Sequence, residues 1–188
     1  MILSFTLSDD HISYASRVAR GRSEFSRSRG IKPGHGYSGD RYSIDIVGTK
    51  SEMAFSLATG LRWIDGIGAK FRDFPFDIVS PSGLGCQIRA TAHPRGGLIL
   101  HREEREKRGK HPYALGIVTE RTVTFPGWQW YEEAAVEAHW ECGQRIASFK
   151  SRPCYLYPQS LLRPMGELMH YLGVPSPETS LTLEFFGQ

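Results

Sequence analysis

The sequence predicts an α/β fold with a mixed central sheet flanked by helices, and three features carry that prediction. A capped segment with helical apolar spacing lies near the N-terminus. Two short apolar runs flank the turn Pro81-Ser82-Gly83, which is the pattern of a hairpin. A continuous apolar run, Tyr113–Thr119, suits a strand covered on both faces. Helix, hairpin, then alternating strands and helices give an α/β layer architecture.

Taken in order, Ser8-Asp9-Asp10 reads as an N-cap, and Ile12, Ala15, Val18 and Ala19 recur at helical spacing, so a helix is expected over Asp9–Phe25. Ser26 to Gly39, rich in Gly, Ser and Arg with Pro33 inside, reads as a loop. Ser51–Thr59 is the next expected helix, with Met53, Ala54, Leu57 and Ala58 as its apolar set and Gly60 as its stop. Strands follow at Phe76–Val79 and Leu84–Ala90, the two arms of the hairpin, then at Tyr113–Thr119 and at Thr122–Trp130. Helix is expected over Glu132–Glu141, a short strand over Cys154–Tyr157, and helix over Gln159–Leu172 with Pro164 disturbing it. A terminal strand is expected at Leu181–Phe185.

A chain of 188 residues with 40% hydrophobic and 23% charged residues fits one domain with a substantial core. Its expected parts are an N-terminal helix and basic loop over 1–40, a core over 47–168 and a tail over 169–188. Mean hydropathy is −0.35, and no apolar run approaches the roughly 20 residues that cross a bilayer. The start MILSFTLSDDH has neither a basic segment nor a long apolar one, so no secretory signal is expected and the cytoplasm is the expected compartment. Cys86, Cys142 and Cys154 form no close pair, which argues against a disulfide framework or a zinc ribbon.

The net charge of +3 is only mildly basic, but its distribution is uneven. Arg17, Arg20, Arg22, Arg27, Arg29 and Lys32 crowd the first part of the chain, and Arg27 and Arg29 are the expected phosphate contacts. A second run around Arg102 to Lys110 is offset by Glu103, Glu104 and Glu106 and reads as a solvated segment. His93, His101 and His111 match no compact ligand spacing and read as exposed loop residues, while Trp128, Trp130 and Tyr131 read as core.

One constellation carries chemistry. Glu52 falls on a helix, Asp77 on the first hairpin strand, and Gln87 and Arg89 two apart on the second, so the last two share a sheet face. If the hairpin pairs around Ser82-Gly83, Asp77 lies across from them. Two carboxylates, an amide oxygen and the Ile88 carbonyl are hard ligands of the kind that suit Mg²⁺ or Mn²⁺. In such a site the metal lowers the pKa of a bound water.

The helix VGTKSEMAFSLATG with Glu52, the strand FPFDIV with Asp77 and the strand CQIRAT resemble, in that order, the PD-(D/E)XK nuclease core. The stretches GWQWYEEA and RPCYLYPQSLLRPMGEL are similar to the tail of small, often phage-encoded members. The resemblance implies a restriction-endonuclease-like sheet and a DNA substrate. It implies metal binding by Glu52, Asp77 and the residue at 87, with the residue at 89 orienting or activating water. It also implies residence in the host cytoplasm or with the virion. Here Gln87 stands for the acid and Arg89 for the lysine. Gln87 brings an oxygen without charge, and Arg89 stays protonated but can clamp a phosphate bidentately. Two functions therefore stay open: metal-dependent phosphodiester hydrolysis, or a non-catalytic nucleic-acid-binding or assembly module on the same core. For a structural role, the apolar tail Leu181–Phe186 would be the docking element.

Overall fold

The computed structural model describes residues 2–30, 41–65, 76–102, 110–143 and 153–175. The expected terminal strand at 181–185, Lys32 and most of the acidic-basic run at 103–109 lie outside these residues. The architecture is α/β, with a mixed six-stranded sheet and flanking helices.

Strand β1 (Leu3–Thr6) leads into helix α1 (Asp9–Ser28). Ser8 caps α1: its hydroxyl accepts from the His11 amide at 3.2 Å while the Ser8 amide donates to His11 Nδ1 at 3.3 Å. The helix passes the expected end at Phe25, so Ser26, Arg27 and Ser28 are helical rather than loop, and Arg29 is the C-cap. Serine at 26 and 28 is tolerated there because the last turn is exposed and the Ser28 hydroxyl donates to the Phe25 carbonyl at 2.8 Å.

Helix α2 (Arg41–Thr59) begins ten residues before the expected Ser51. Its first half carries Ser43, Asp45, Gly48 and Thr49, weak helix formers that only packing stabilises. Thr49 donates back to the Asp45 carbonyl at 2.6 Å. Within the expected apolar set, Leu57 is exposed and Phe55 is buried in its place, edge-on to Phe125 at 5.2 Å.

Strand β2 (Arg62–Trp63) pairs antiparallel with β3 (Ile78–Val79), and β3 with β4 (Gly85–Thr91). The expected hairpin is present, with Gly83 at φ +84° supplying the left-handed turn position. After β5 (Leu98–Leu100) the chain returns as β6 (Pro112–Thr119), parallel to β4, and reverses into β7 (Thr122–Trp130). Strand β1 closes the far edge against β7, giving the order β1-β7-β6-β4-β3-β2. β6 lies between two neighbours and is buried over most of its length, as its apolar run predicts.

The expected helix over 132–141 is reduced to one turn, α3 (Tyr131–Ala134). No side chain caps it, and beyond Ala135 and Val136 come only a short 3₁₀ turn and strand β8 (Trp140–Glu141). Strands β5, β9 (Cys154–Tyr157) and β8 form a second, three-stranded sheet in the order β5-β9-β8. The expected helix over 159–172 is a 3₁₀ turn followed by α4 (Met165–Tyr171), because Pro164 sits at the N-cap, where its missing amide costs nothing.

Two cores result. Cys86, Ile88, Ala114, Val118 and Phe125 of the main sheet meet Ala15, Met53, Ala54 and Phe55 of the helices. On the other face Tyr113 and Leu115 meet Tyr131, Leu98, Leu100, Tyr155 and Tyr157. Trp128 and Tyr131 are buried, and Trp130 packs between Trp128 and Tyr171 at 5.2 Å from each. Close approach of α2 to the sheet depends on Gly116, where a Cβ would collide with the Ser51 side chain and press Phe125.

Candidate functional site

The site lies at the edge of the main sheet where β2 ends and β3 begins. α1 brings Arg22 there because residue 22 continues the buried stripe of Ala15, Val18 and Ala19. α2 brings Glu52, which is buried at 7% exposure in mid-helix, so it is neither a surface acid nor a cap. The Arg22 guanidinium holds both Glu52 oxygens, Nη1 to Oε1 at 3.1 Å and Nη2 to Oε2 at 2.7 Å. The Trp63 indole N–H of β2 donates to the same Oε2 at 2.9 Å. Arg22 is itself anchored, with Nε donating to the Asp65 carbonyl at 2.6 Å and Nη2 reaching the Ile64 carbonyl at 3.4 Å.

Asp77 enters from the other side. Its amide donates to the Cys86 carbonyl at 3.1 Å and its carbonyl accepts from the Ile64 amide at 2.9 Å, so it extends the ladder one residue beyond β3. Ile78 pairs with Cys86, and continuing that register sets Asp77 opposite Gln87. The Asp77 carboxyl turns back along β4 and accepts from the Ile88 amide through Oδ2 at 2.8 Å. Burial pushes the Asp77 carboxyl up to about 7, and the Glu52 charge pushes the same way; Arg89, the Ile88 amide and Arg22 oppose them. Near neutral pH it therefore exchanges its proton.

Gln87 is buried at 1% exposure and is no solvent-face residue. Alternation along β4 puts Gln87 and Arg89 on one face, beside Tyr113 and Leu115 of β6, and Cys86 and Ile88 on the helix side. The Arg89 guanidinium stands over the Tyr113 ring at 5.3 Å. Asp77, Gln87 and Arg89 thus share a face by register, while Glu52 approaches from the helix-bearing face; the two groups meet at the strand ends, where Arg22 feels Glu52, Asp77 and Asp45 together.

Arg22, Trp63 and Asp45 are site residues that the motif reading overlooks. Asp45 lies seven residues before Glu52 on α2, hence on the same helix face. Of the expected phosphate contacts, Arg27 and Arg29 are exposed at the end of α1, and Arg29 lies over Phe25 at 5.1 Å. His93 is exposed as expected, but His101 and His111 are half-buried, His111 packing edge-on to Phe76 at 4.4 Å. The cysteines are free thiols, Cys86 and Cys154 buried.

Among the described residues no group of three or more His, Cys, Asp or Glu is placed to hold a metal. Two carboxylates are nevertheless a sufficient protein share for Mg²⁺, which completes its shell with water and phosphate oxygens. The donor chemistry fits at Asp77. Its ionised form is disfavoured by burial and by Glu52, and a cation would favour it. No helix of the described residues is long and apolar enough to cross a membrane. Comparison of the chain with protein-family models, curated proteins and solved structures finds no match.

Proposed function

We propose that this chain is a metal-dependent nuclease that hydrolyses phosphodiester bonds of DNA in the cytoplasm. The observation that carries the reading is the crowding of Asp77 by Glu52, with Arg89 on the same sheet face as Asp77. Glu52 and Asp77, with the Gln87 amide oxygen, would hold Mg²⁺ or Mn²⁺, and the ion would supply charge stabilisation and an acidified water. The remaining work falls to side chains. Arg89 would clamp the phosphate under attack through its planar fork. Asp77, held ionised by the bound ion, would orient the attacking water by accepting a hydrogen bond from it. The Ile88 amide keeps the Asp77 carboxyl aimed at the strand. Cleavage of supercoiled plasmid with Mg²⁺ or Mn²⁺, lost on Asp77→Ala, tests this directly. Cleavage that survives Asp77→Ala overturns it.

A second reading is favoured by one observation: Arg22 already occupies both oxygens of Glu52. A guanidinium there supplies the positive charge that a metal would otherwise bring. On this reading the acidic pair is a structural charge cluster, and the protein binds nucleic acid or an assembly partner without cutting. DNA retention by Arg89 without metal-dependent cleavage would mark it.

A further inference from the structure

A cleft of about 330 Å³ is lined by Arg20, Ser23, Glu24, Arg27 and Tyr42, none of them a residue of the Glu52–Asp77 site. Residues 20, 23, 24 and 27 stand at i, i+3, i+4 and i+7, so one face of α1 supplies them, and Tyr42 comes from the first turn of α2. This face runs along the margin of the buried stripe, where α1 turns from apolar to charged. Arg20 and Arg27 are exposed and two helical turns apart, about 10.5 Å along the axis. Between them Ser23 is buried at 4% exposure, and its hydroxyl has no hydrogen-bond partner among the described residues. A buried hydroxyl left unsatisfied is unfavourable unless a ligand or water completes it.

We propose that this cleft binds one nucleotide unit of a single DNA strand, a contact separate from the Asp77 site. Arg20 and Arg27 supply the positive charge for a phosphodiester, and the Ser23 hydroxyl donates to one of its oxygens. The Tyr42 ring offers a stacking surface for the base. Glu24 would repel a bare anion, but it can accept from an N–H on a base edge, the thymine imide included, and this favours a nucleotide over inorganic phosphate. The size is at the lower end of small-ligand sites. The inference needs the chain to contact DNA, as proposed above, but not to cut it.

The test uses the full chain and a fluorescein-labelled 20-mer of deoxythymidine, followed by anisotropy across a salt series. Arg20→Ala with Arg27→Ala is expected to weaken binding about tenfold or more and to reduce the salt slope by about 0.7, one single-strand phosphate contact. Both residues are exposed, so the fold should persist. Ser23→Ala should weaken binding without changing the slope, and Ser23→Thr should restore it. The same oligonucleotide carrying 5-bromodeoxyuridine should photocrosslink to Tyr42. Unchanged affinity and slope in the double variant, while Arg89→Ala weakens binding, would overturn the cleft and leave the proposed function standing. Plasmid cleavage dependent on Asp77 without a Tyr42 crosslink would do the same. Amide shifts at Ser23 and Tyr42 with free thymidine monophosphate, but no crosslink to the strand, would reassign the cleft to a free nucleotide and overturn the strand contact.

Discussion

Arg22 and Glu52, thirty residues apart in the chain, form a two-pronged ion pair at 3.1 and 2.7 Å with only 13% and 9% of their side chains exposed. Both ends of the acid are thus committed before any ligand arrives. Removing one partner strands the other charge in a dry place, which typically costs about 3–5 kcal/mol. Arg22→Ala is therefore expected to lower unfolding stability by about that amount in urea titration. Arg22→Met combined with Glu52→Gln should be much closer to the unaltered protein than Arg22→Ala is. Equal losses in both variants would mean that the fold uses the hydrogen bonds Arg22 makes, those to the Asp65 and Ile64 carbonyls included, and that a stranded charge is not the cause.

The Asp77 carboxyl makes a pH prediction. Its folded value is raised from 3.8 to about 7, so between these pH values the folded chain keeps a proton that the unfolded chain has lost. Stability from this group is full below about pH 4 and falls as pH rises to about 7. Asp77→Asn keeps an oxygen for the Ile88 amide and removes the titration. The melting temperature of Asp77→Asn, relative to the parent, should rise between pH 5 and pH 8. A difference independent of pH would show that Asp77 is ionised throughout.

If Asp77 holds a divalent ion, Mg²⁺ should bind more tightly as pH rises through about 7, because the ion competes with the proton. Gln87→Glu adds a charged ligand and should lower the Mg²⁺ concentration at half-maximal cleavage. Calorimetric titration of Mg²⁺ at pH 6 and pH 8 checks the first, and plasmid cleavage the second. Equal affinity at both pH values would exclude Asp77 as a ligand.

Gly116 gives a packing prediction. Gly116→Ala would push its Cβ into Ser51, the residue before Glu52, and overpacking of this kind costs about 1–3 kcal/mol. Ser51→Ala in the same chain should recover part of it, since the closest collision is with the Ser51 hydroxyl. A double-mutant cycle in denaturant reads the coupling directly.

The parts of the fold legible from sequence are those with a local cause. Ser8 caps α1, Gly83 turns the hairpin, and the apolar run of β6 marks a strand with neighbours on both sides. The parts that were not legible depend on distant partners. β1 has only four residues and needs β7; the first half of α2 has poor helix formers and needs the sheet; β8 and β9 pair across the chain at the place where Glu132–Glu141 looks helical. The site divides in the same way. Glu52, Asp77, Gln87 and Arg89 carry recognisable spacing, whereas Arg22 announces itself only as a charge at a core position of an apolar stripe. That signal is physical and readable, since a buried guanidinium demands a carboxylate.

β1 has its own consequence for how the protein is made. Leu3 pairs in register with Phe125, so β1 waits for more than a hundred residues of later chain before it can pair. A ribosome adding about 5–20 residues per second imposes a delay of some seconds, with a strand of alternating Leu3 and Phe5 unprotected meanwhile. Loop closure of that length also makes the step slow for a released chain. Early folding of α1 over its neighbour would cover the gap, and the sheet closes only when β7 emerges.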